Sequence, residues 1–322
     1  MATKITRRAR LRALAKINLS LEVLARRPDG YHDLRTVFQT VSLADSLELV
    51  WSPGRGAQVV LESNIDLPDN LASRAARAVL DESGAKGTLE IRLRKRIPMG
   101  GGLGGGSTDA AAVLLALPVL TGKDIPFPRL HALSASLGSD VPFFLYGGTA
   151  LGLGRGTELY PLPDARSGPL ALVCPDVQVS TAQAYRDLDS KPCAGSAPSP
   201  KINISQSLAF ALGAELSAKE WSRFCGNDFE SVVFAGHPQL RALKTRLLRA
   251  GACPAMMTGS GAALFGAFRD RLHLESALAR FKQERVFAIR PVDRKGYYRL
   301  WWRQLAEHLK ETTWPPQSRH AR

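Results

Sequence analysis

No run of about 18 uncharged apolar residues occurs in the 322-residue chain, which excludes a membrane-spanning helix. The first ten residues are basic but lack the apolar core of a signal peptide. Cysteine is scarce. Cys174, Cys193, Cys225 and Cys253 stand without metal-ligand spacing, which predicts free thiols in a reducing cytosol. No lysine lies between Pro98 and Lys123, so the glycine-rich stretch there is not a Walker A loop. His-Arg-Asp and Asp-Phe-Gly are absent downstream, so it is not a protein-kinase loop either. Acidic residues are fewer than basic ones, 29 against 43, for a net charge of +14. Residues 1–12 carry five basic and no acidic side chains, and residues 294–322 carry seven and two, so the two ends supply ten of the fourteen charges. The body is only mildly basic, which suits a binder of polyanionic small molecules better than a nucleic-acid surface.

What the chain does have is Pro98-Met99-Gly100-Gly101-Gly102-Leu103-Gly104-Gly105-Gly106-Ser107-Thr108, running into Asp109-Ala110-Ala111-Ala112. Six glycines in seven positions weaken any strand or helix. They suit a backbone that bends sharply and approaches a ligand. A helix start at the end of such a loop aims free N–H groups and the positive dipole end at one point, as a phosphate requires. Gly100-x-Gly102-x-x-Gly105 has the form of a dinucleotide fingerprint, but the second strand with its acidic end is missing.

Around this loop the pattern is α+β in both halves. Apolar residues alternate from Ala13 to Ala25, with Lys16, Asn18 and Ser20 on a polar face. Pro28-Asp29-Gly30 makes a turn. Strands are expected near Thr36–Leu43, Leu47–Trp51, Gln58–Leu61 and Leu89–Leu93, and Asn70 caps a helix. Lys191–Asn203 reads as an exposed connector. Helices are expected at Pro128–Leu137, Ser205–Leu212, Phe229–Val233, Pro238–Arg249 and Leu272–Lys282. Further strands are expected at Thr149–Leu153, Leu170–Val173, Ala255–Thr258, Ala263–Phe268 and Val286–Arg290.

Lys16-Ile17-Asn18, the Pro98–Ala112 loop and Met257-Thr258-Gly259-Ser260-Gly261-Ala262, in this order, resemble the GHMP kinase superfamily of small-molecule kinases. Arg27-Pro28-Asp29-Gly30-Tyr31-His32, Leu137-Gly138-Ser139-Asp140-Val141-Pro142-Phe143 and Gly226-Asn227-Asp228-Phe229-Glu230 narrow the likeness to its branch acting on a cytidine-diphospho methylerythritol in the non-mevalonate isoprenoid pathway. The resemblance covers about residues 11–291. It implies a two-domain fold. Residues 1–160 form an N-terminal domain similar to a ribosomal-protein domain, with the ATP loop and catalytic residues. Residues 161–293 form a ferredoxin-like α/β sandwich on the substrate side, and 294–322 a basic, aromatic extension.

The resemblance further implies ATP-dependent phosphorylation of the substrate's 2-hydroxyl, with Mg²⁺. Asp140 would accept the hydroxyl proton and Lys16 would favour the developing alkoxide. The ATP site would run from Pro98 to Thr108, with the Gly100–Gly106 N–H groups on the phosphates and the Ser107 and Thr108 hydroxyls able to reach phosphate or Mg²⁺. Asn70 would sit near adenine and Lys95 on the nucleotide side. Asn18, Tyr31, His32, Thr181, Tyr185, Gly259 and Ser260 would meet the substrate, Tyr31 and His32 through cytosine. Plainer roles remain open: Asn70, Ser107 or Asp109 as helix caps, Asp140 as a cap beside Pro142, Thr258–Gly261 as a hairpin turn. Two rival functions are a GHMP kinase for mevalonate, homoserine or a sugar, and a non-catalytic RNA binder. Asp29-Gly30-Tyr31-His32 argues against the first, the Lys16 and Asp140 pair against the second. The expected protein is a cytoplasmic monomer or weak homodimer, bound to small molecules rather than nucleic acid or membrane. The tail, with Tyr297, Tyr298, Trp301, Trp302, Leu305 and Leu309, leaves three options: packing back on the body, self-association, or an anionic surface.

Overall fold

The computed structural model describes residues 5–66, 68–164, 168–190 and 225–321. The connector expected over Lys191–Asn203, the helix over Ser205–Leu212 and Cys193 lie outside the described residues.

Two sheets and their helices build the protein. The first runs β3 (Ala57–Ser63), β4 (Gly87–Arg94), β2 (His32–Pro53), β1 (Arg7–Arg26) and β8 (Gly226–Asn227), with β5 (Thr149–Gly154) on β2 and β6 (Glu158–Pro161) on β5. The second is antiparallel, in the order β11 (Arg285–Ile289), β7 (Leu170–Cys174), β10 (Leu264–Ala267), β9 (Ala255–Met257).

β2 is one long strand where the sequence suggests two. Ala44-Asp45-Ser46 has turn-forming composition, but Asp45 is fully buried and accepts bonds from Lys95 and from the N–H groups of Arg96 and Ile97. That anchorage carries the strand straight through. β1 differs as well: Lys16, Asn18 and Ser20 form no solvated face but are all buried. Register shifts between Leu14 and Lys16 and between Asn18 and Ser20 bend the strand at these residues.

The two faces of β7 explain how the halves join. Ala171 and Val173 pack on α5 (Thr181–Asp189), α6 (Glu230–Gly236), α7 (Pro238–Arg249) and α8 (Arg271–Leu278) through Ala184, Val232, Leu240 and Leu274. Leu170 and Leu172 turn the other way, onto Ala15, Ile17 and Leu19 of β1. The period of two thus makes one strand serve two cores.

In the first half, α1 (Leu71–Ser83) and α2 (Gly105–Thr121) cover the sheet. α2 is buried from Thr108 to Leu120, as its nearly uninterrupted apolar sequence demands. α3 (Phe127–Leu137) leads through a turn to the four-residue α4 (Phe143–Tyr146). The tail packs back on this half. Its helix α9 (Arg294–Gln304) sinks Tyr297 and Trp301, followed by Leu305, into the core around α2. Ser318 Oγ donates to the Val119 carbonyl at 2.7 Å and Arg7 to that of Leu120 at 2.6 Å, satisfying last-turn acceptors of α2.

Candidate active site

The glycine loop leaves β4 through Lys95-Arg96-Ile97 and reaches α2. Gly100, Gly102 and Gly104 have φ of 68°, 71° and 68°, a left-handed alternation that side chains would strain. Such alternation turns successive N–H groups into one anion-binding concavity. The loop faces a pocket of about 260 Å³, lined also by Asn70, Lys95 and Asp109. Asn70 serves the fold as well, its Oδ1 accepting the Ala72 N–H at 2.8 Å to cap α1.

Lys95 sits between two carboxylates, bonding Asp45 and, at 2.6 Å, Asp109 Oδ2. Desolvation pulls the Lys95 ammonium down, but the charges of Asp109 and Asp45 outweigh it and raise its pKa. Burial pushes the Asp109 carboxyl up to about 8, against the opposing pull of Lys95. Its Oδ1 is buried with no protein partner. From the sequence, Asp109 stands open as a helix cap. α2 begins at Gly105, because the last glycines of the run are already helical, so Asp109 falls in the second turn and pairs with Lys95 instead of capping. Thr108 is buried at 2 % exposure and Ser107 half-buried, and neither lines the pocket.

A cleft of about 720 Å³ adjoins this pocket, and Gly100 and Gly102 line both. Lys16 enters it from β1 and Asp140 from the turn between α3 and α4, with Nζ to Oδ2 at 3.3 Å. Lys16 is buried, its side chain 3 % exposed, while that of Asp140 is 35 % exposed. Lys16 Nζ also donates to Asn18 Oδ1 at 2.8 Å, which fixes the ammonium in place. Asn18 lines the cleft, yet its amide is occupied by protein: Oδ1 accepts the Gly259 N–H at 3.0 Å and Nδ2 donates to Thr36 at 2.7 Å. The residue ties β1 to the Thr258–Gly261 loop.

That loop closes the cleft edge. A Cβ on Gly102 would lie 2.4 Å from the Thr258 carbonyl oxygen, and one on Gly259 2.9 Å from Gly102 Cα. The two glycine segments meet backbone to backbone, which no larger residue allows. Ser260 and Thr181 bond each other at 2.7 Å at the same rim.

At the far end, Tyr31 is half exposed with the Arg155 guanidinium 3.6 Å from its ring centroid. His32 stacks on Tyr185, centroids 4.6 Å apart, and its Nε2 lies 2.7 Å from Asp189 Oδ1. Burial raises the Tyr185 phenol to about 12, so it stays neutral.

The sequence matches the GHMP kinases N terminal domain over residues 70–148 and the GHMP kinases C terminal over 209–286. It is 52 % identical to a 4-diphosphocytidyl-2-C-methyl-D-erythritol kinase of Solibacter usitatus, over 98 % of both chains. The kinase of the same name from Geobacter sulfurreducens is 41 % identical, over 81 % of this chain and 90 % of its own. A crystal structure of 4-(cytidine 5'-diphospho)-2C-methyl-D-erythritol kinase superposes with a TM-score of 0.71 at 36 % identity, covering 87 % of this chain and 97 % of that one. The chain belongs to the 4-diphosphocytidyl-2-C-methyl-D-erythritol kinase family of GHMP kinases. A homoserine kinase from Cytophaga hutchinsonii, 20 % identical with a TM-score of 0.63, shares the fold.

Membership of the GHMP kinases makes the chain a small-molecule kinase and implies ATP as its phosphoryl donor. The structure gathers Lys16, Asn18, Tyr31, His32, Asp140, Thr181, Tyr185, Gly259 and Ser260 around the larger cleft, and Asn70, Lys95 and Pro98 to Gly106 around the smaller pocket. Sequence reasoning missed Arg155, Asp189, Asp45 and Asn227. Asn227 Nδ2 donates to the carbonyls of Met257 and Gly259 at 2.8 Å each and so holds the closing loop of this kinase. Its place in Gly226-Asn227-Asp228 is a signal that was available. Arg155 and Asp45 carry none, because each meets its partners only in the folded chain.

Proposed function

We propose that the protein transfers the γ-phosphoryl group of ATP to the 2-hydroxyl of 4-diphosphocytidyl-2-C-methyl-D-erythritol, a step towards isoprenoid precursors by the non-mevalonate route. The observation that carries this reading is the Lys16–Asp140 pair, 3.3 Å apart, beside a glycine wall common to two chambers. One chamber suits a nucleotide polyphosphate, the other an alcohol with an aromatic head, and their shared wall suits a meeting of the hydroxyl with the γ-phosphorus.

Asp140 takes the hydroxyl proton as the oxygen attacks phosphorus, the bond to the β-phosphate oxygen breaks, and ADP leaves. Lys16 meets the negative charge that builds on the attacking oxygen and the transferring group. Its bond to Asn18 holds the ammonium in place beforehand, so little reorganisation is needed at the reacting centre. Tyr31 and Tyr185 offer flat faces to cytosine, and Asp189 orients the His32 ring, leaving Nδ1 for the base edge. Arg155, Arg26 and Arg186 line the same cleft and suit the substrate's diphosphate.

The nucleotide pocket also fits a magnesium ion. Mg²⁺ binds through one or two carboxylates plus substrate phosphates, and Asp109, on giving up its proton to the metal, offers a buried, unpartnered Oδ1 on the pocket wall. Bound there, the ion would neutralise phosphate charge. The free thiols of Cys174, Cys225 and Cys253 accord with a reducing cytoplasm.

An ADP-release assay with Mg²⁺ and ATP tests this reading, comparing the cytidine-diphospho alcohol with mevalonate and homoserine. Only the first is expected to support turnover. Asp140→Asn and Lys16→Ala should each lose on the order of 10²–10⁴-fold in kcat, with unchanged far-UV circular dichroism. Equal turnover of mevalonate sinks the specificity, and normal rates in both variants sink the chemistry.

A further inference from the structure

The aromatic tail is a sequence feature the phosphoryl transfer leaves unused, and it ends up against the element that carries Asp140. Asp140 is followed directly by Val141, fully buried, and Pro142, the N-cap of α4. The carbonyls of Val141 and Pro142 accept the N–H groups of Phe144 and Leu145 at 3.1 and 3.0 Å, so the turn and the helix form one hydrogen-bonded unit. A four-residue helix cannot pair its own last carbonyls. Here the tail supplies the donors. Tyr297 Oη donates to the Phe144 carbonyl at 2.6 Å, and Trp314 Nε1 to that of Leu145 at 2.9 Å. Tyr297 is 1 % exposed, so nothing else can serve that carbonyl if the hydroxyl is lost.

The contact is built closely on both sides. A Cβ on Gly147, which ends α4, would lie 2.2 Å from the Tyr297 ring. Tyr298 stacks on Trp314 at 3.9 Å, 11° from parallel, which orders the second donor. Further along, Arg294 donates to the carbonyls of Thr149 and Leu162, anchoring α9 to β5 just after α4.

We propose that residues 294–318 are a positioning element of the active site, in which Tyr297 and Trp314 set the place of Asp140 by holding the end of α4. The proposal rests on Asp140 being the base. Tyr297 and Trp314 line neither chamber, so losing their donors removes no lining group, but it does loosen α4. A loosened α4 lets the carboxylate drift from the hydroxyl it must meet, and small misplacements of a reacting group cost rate steeply.

The experiment is a double-mutant cycle of Tyr297→Phe, which keeps the ring and removes only the hydroxyl, with Asp140→Asn, read in the ADP-release assay. Rates are normalised to nucleotide-binding stoichiometry, so unfolded protein does not count. Tyr297→Phe should lower kcat by about tenfold with both KM values within about twofold. In the Asp140→Asn background the same change should have almost no further effect, because the group it positions is gone. Trp314→Phe should behave in the same way, more weakly. An unchanged kcat per folded site in Tyr297→Phe overturns the proposal, as does a tenfold factor that persists without Asp140 or a rise in KM alone. Full activity of Asp140→Asn by itself would instead remove the assigned base, a separate failure.

Discussion

Two carboxylates share one ammonium beside the smaller, glycine-lined pocket, and the arrangement leaves a proton to be accounted for. Asp109 is nearly dry, and desolvation, opposed by Lys95, holds its carboxyl protonated up to about pH 8. An unfolded chain releases that proton near pH 4. Between those values the folded protein binds the extra proton, so stability falls as pH rises through this window and levels off above it. Asp109→Asn keeps the shape of the protonated form without titrating. Thermal melts of the ligand-free protein from pH 5 to pH 9 should show the variant gaining on the wild type as pH rises. A melting difference that stays constant across that range would refute the shift. At this scale the sequence was legible where a residue's role is announced by its neighbours. Asn70 sits immediately before an apolar helix and caps it. Asp45 could not be recognised in the same way, since its partners Lys95, Arg96 and Ile97 lie fifty residues further on.

Among the elements, the two glycine segments are the pair whose contact defines the cleft. Gly102 and Gly259 are both left-handed, with φ of 71° and 57°, and each would place a Cβ into the other's backbone. Gly102→Ala therefore has to part the loops or distort the turn proposed to bind phosphate. Activity should fall by at least about 10²-fold, with KM for ATP rising because the same turn lines the pocket proposed for the nucleotide. Steady-state kinetics with ATP varied check this, and an alanine variant with ordinary KM and kcat would show that the loops need not touch. The elements with strong local periodicity were legible. Pro238–Arg249 has the bounds its pattern implies. β2 was not, because its mid-strand Asp45 imitates a turn until a tertiary partner claims it. The fate of the tail was equally hidden: an aromatic face declares that something covers it, not which surface does.

For the molecule as a whole, the first sheet is completed by later chain. β8, from residues 226–227, adds beside β1, and α9 fills the core behind α2. Segments far apart in sequence thus fold as one body, with the glycine loop inside it. That loop forms a partition. Gly100 and Gly102 line both the smaller pocket, proposed for the nucleotide, and the larger cleft, proposed for the alcohol. A ligand that stills the partition from one side has already met the entropic cost of ordering it for the other. Calorimetry with a non-hydrolysable ATP analogue should therefore find tighter binding of the cytidine substrate than to free protein, and by thermodynamic reciprocity the substrate should tighten the analogue by the same factor. Independent affinities would mean the partition is rigid from the outset. A factor above one means that this thin glycine wall does more than separate two guests: each one, on arriving, makes the room next door easier to occupy.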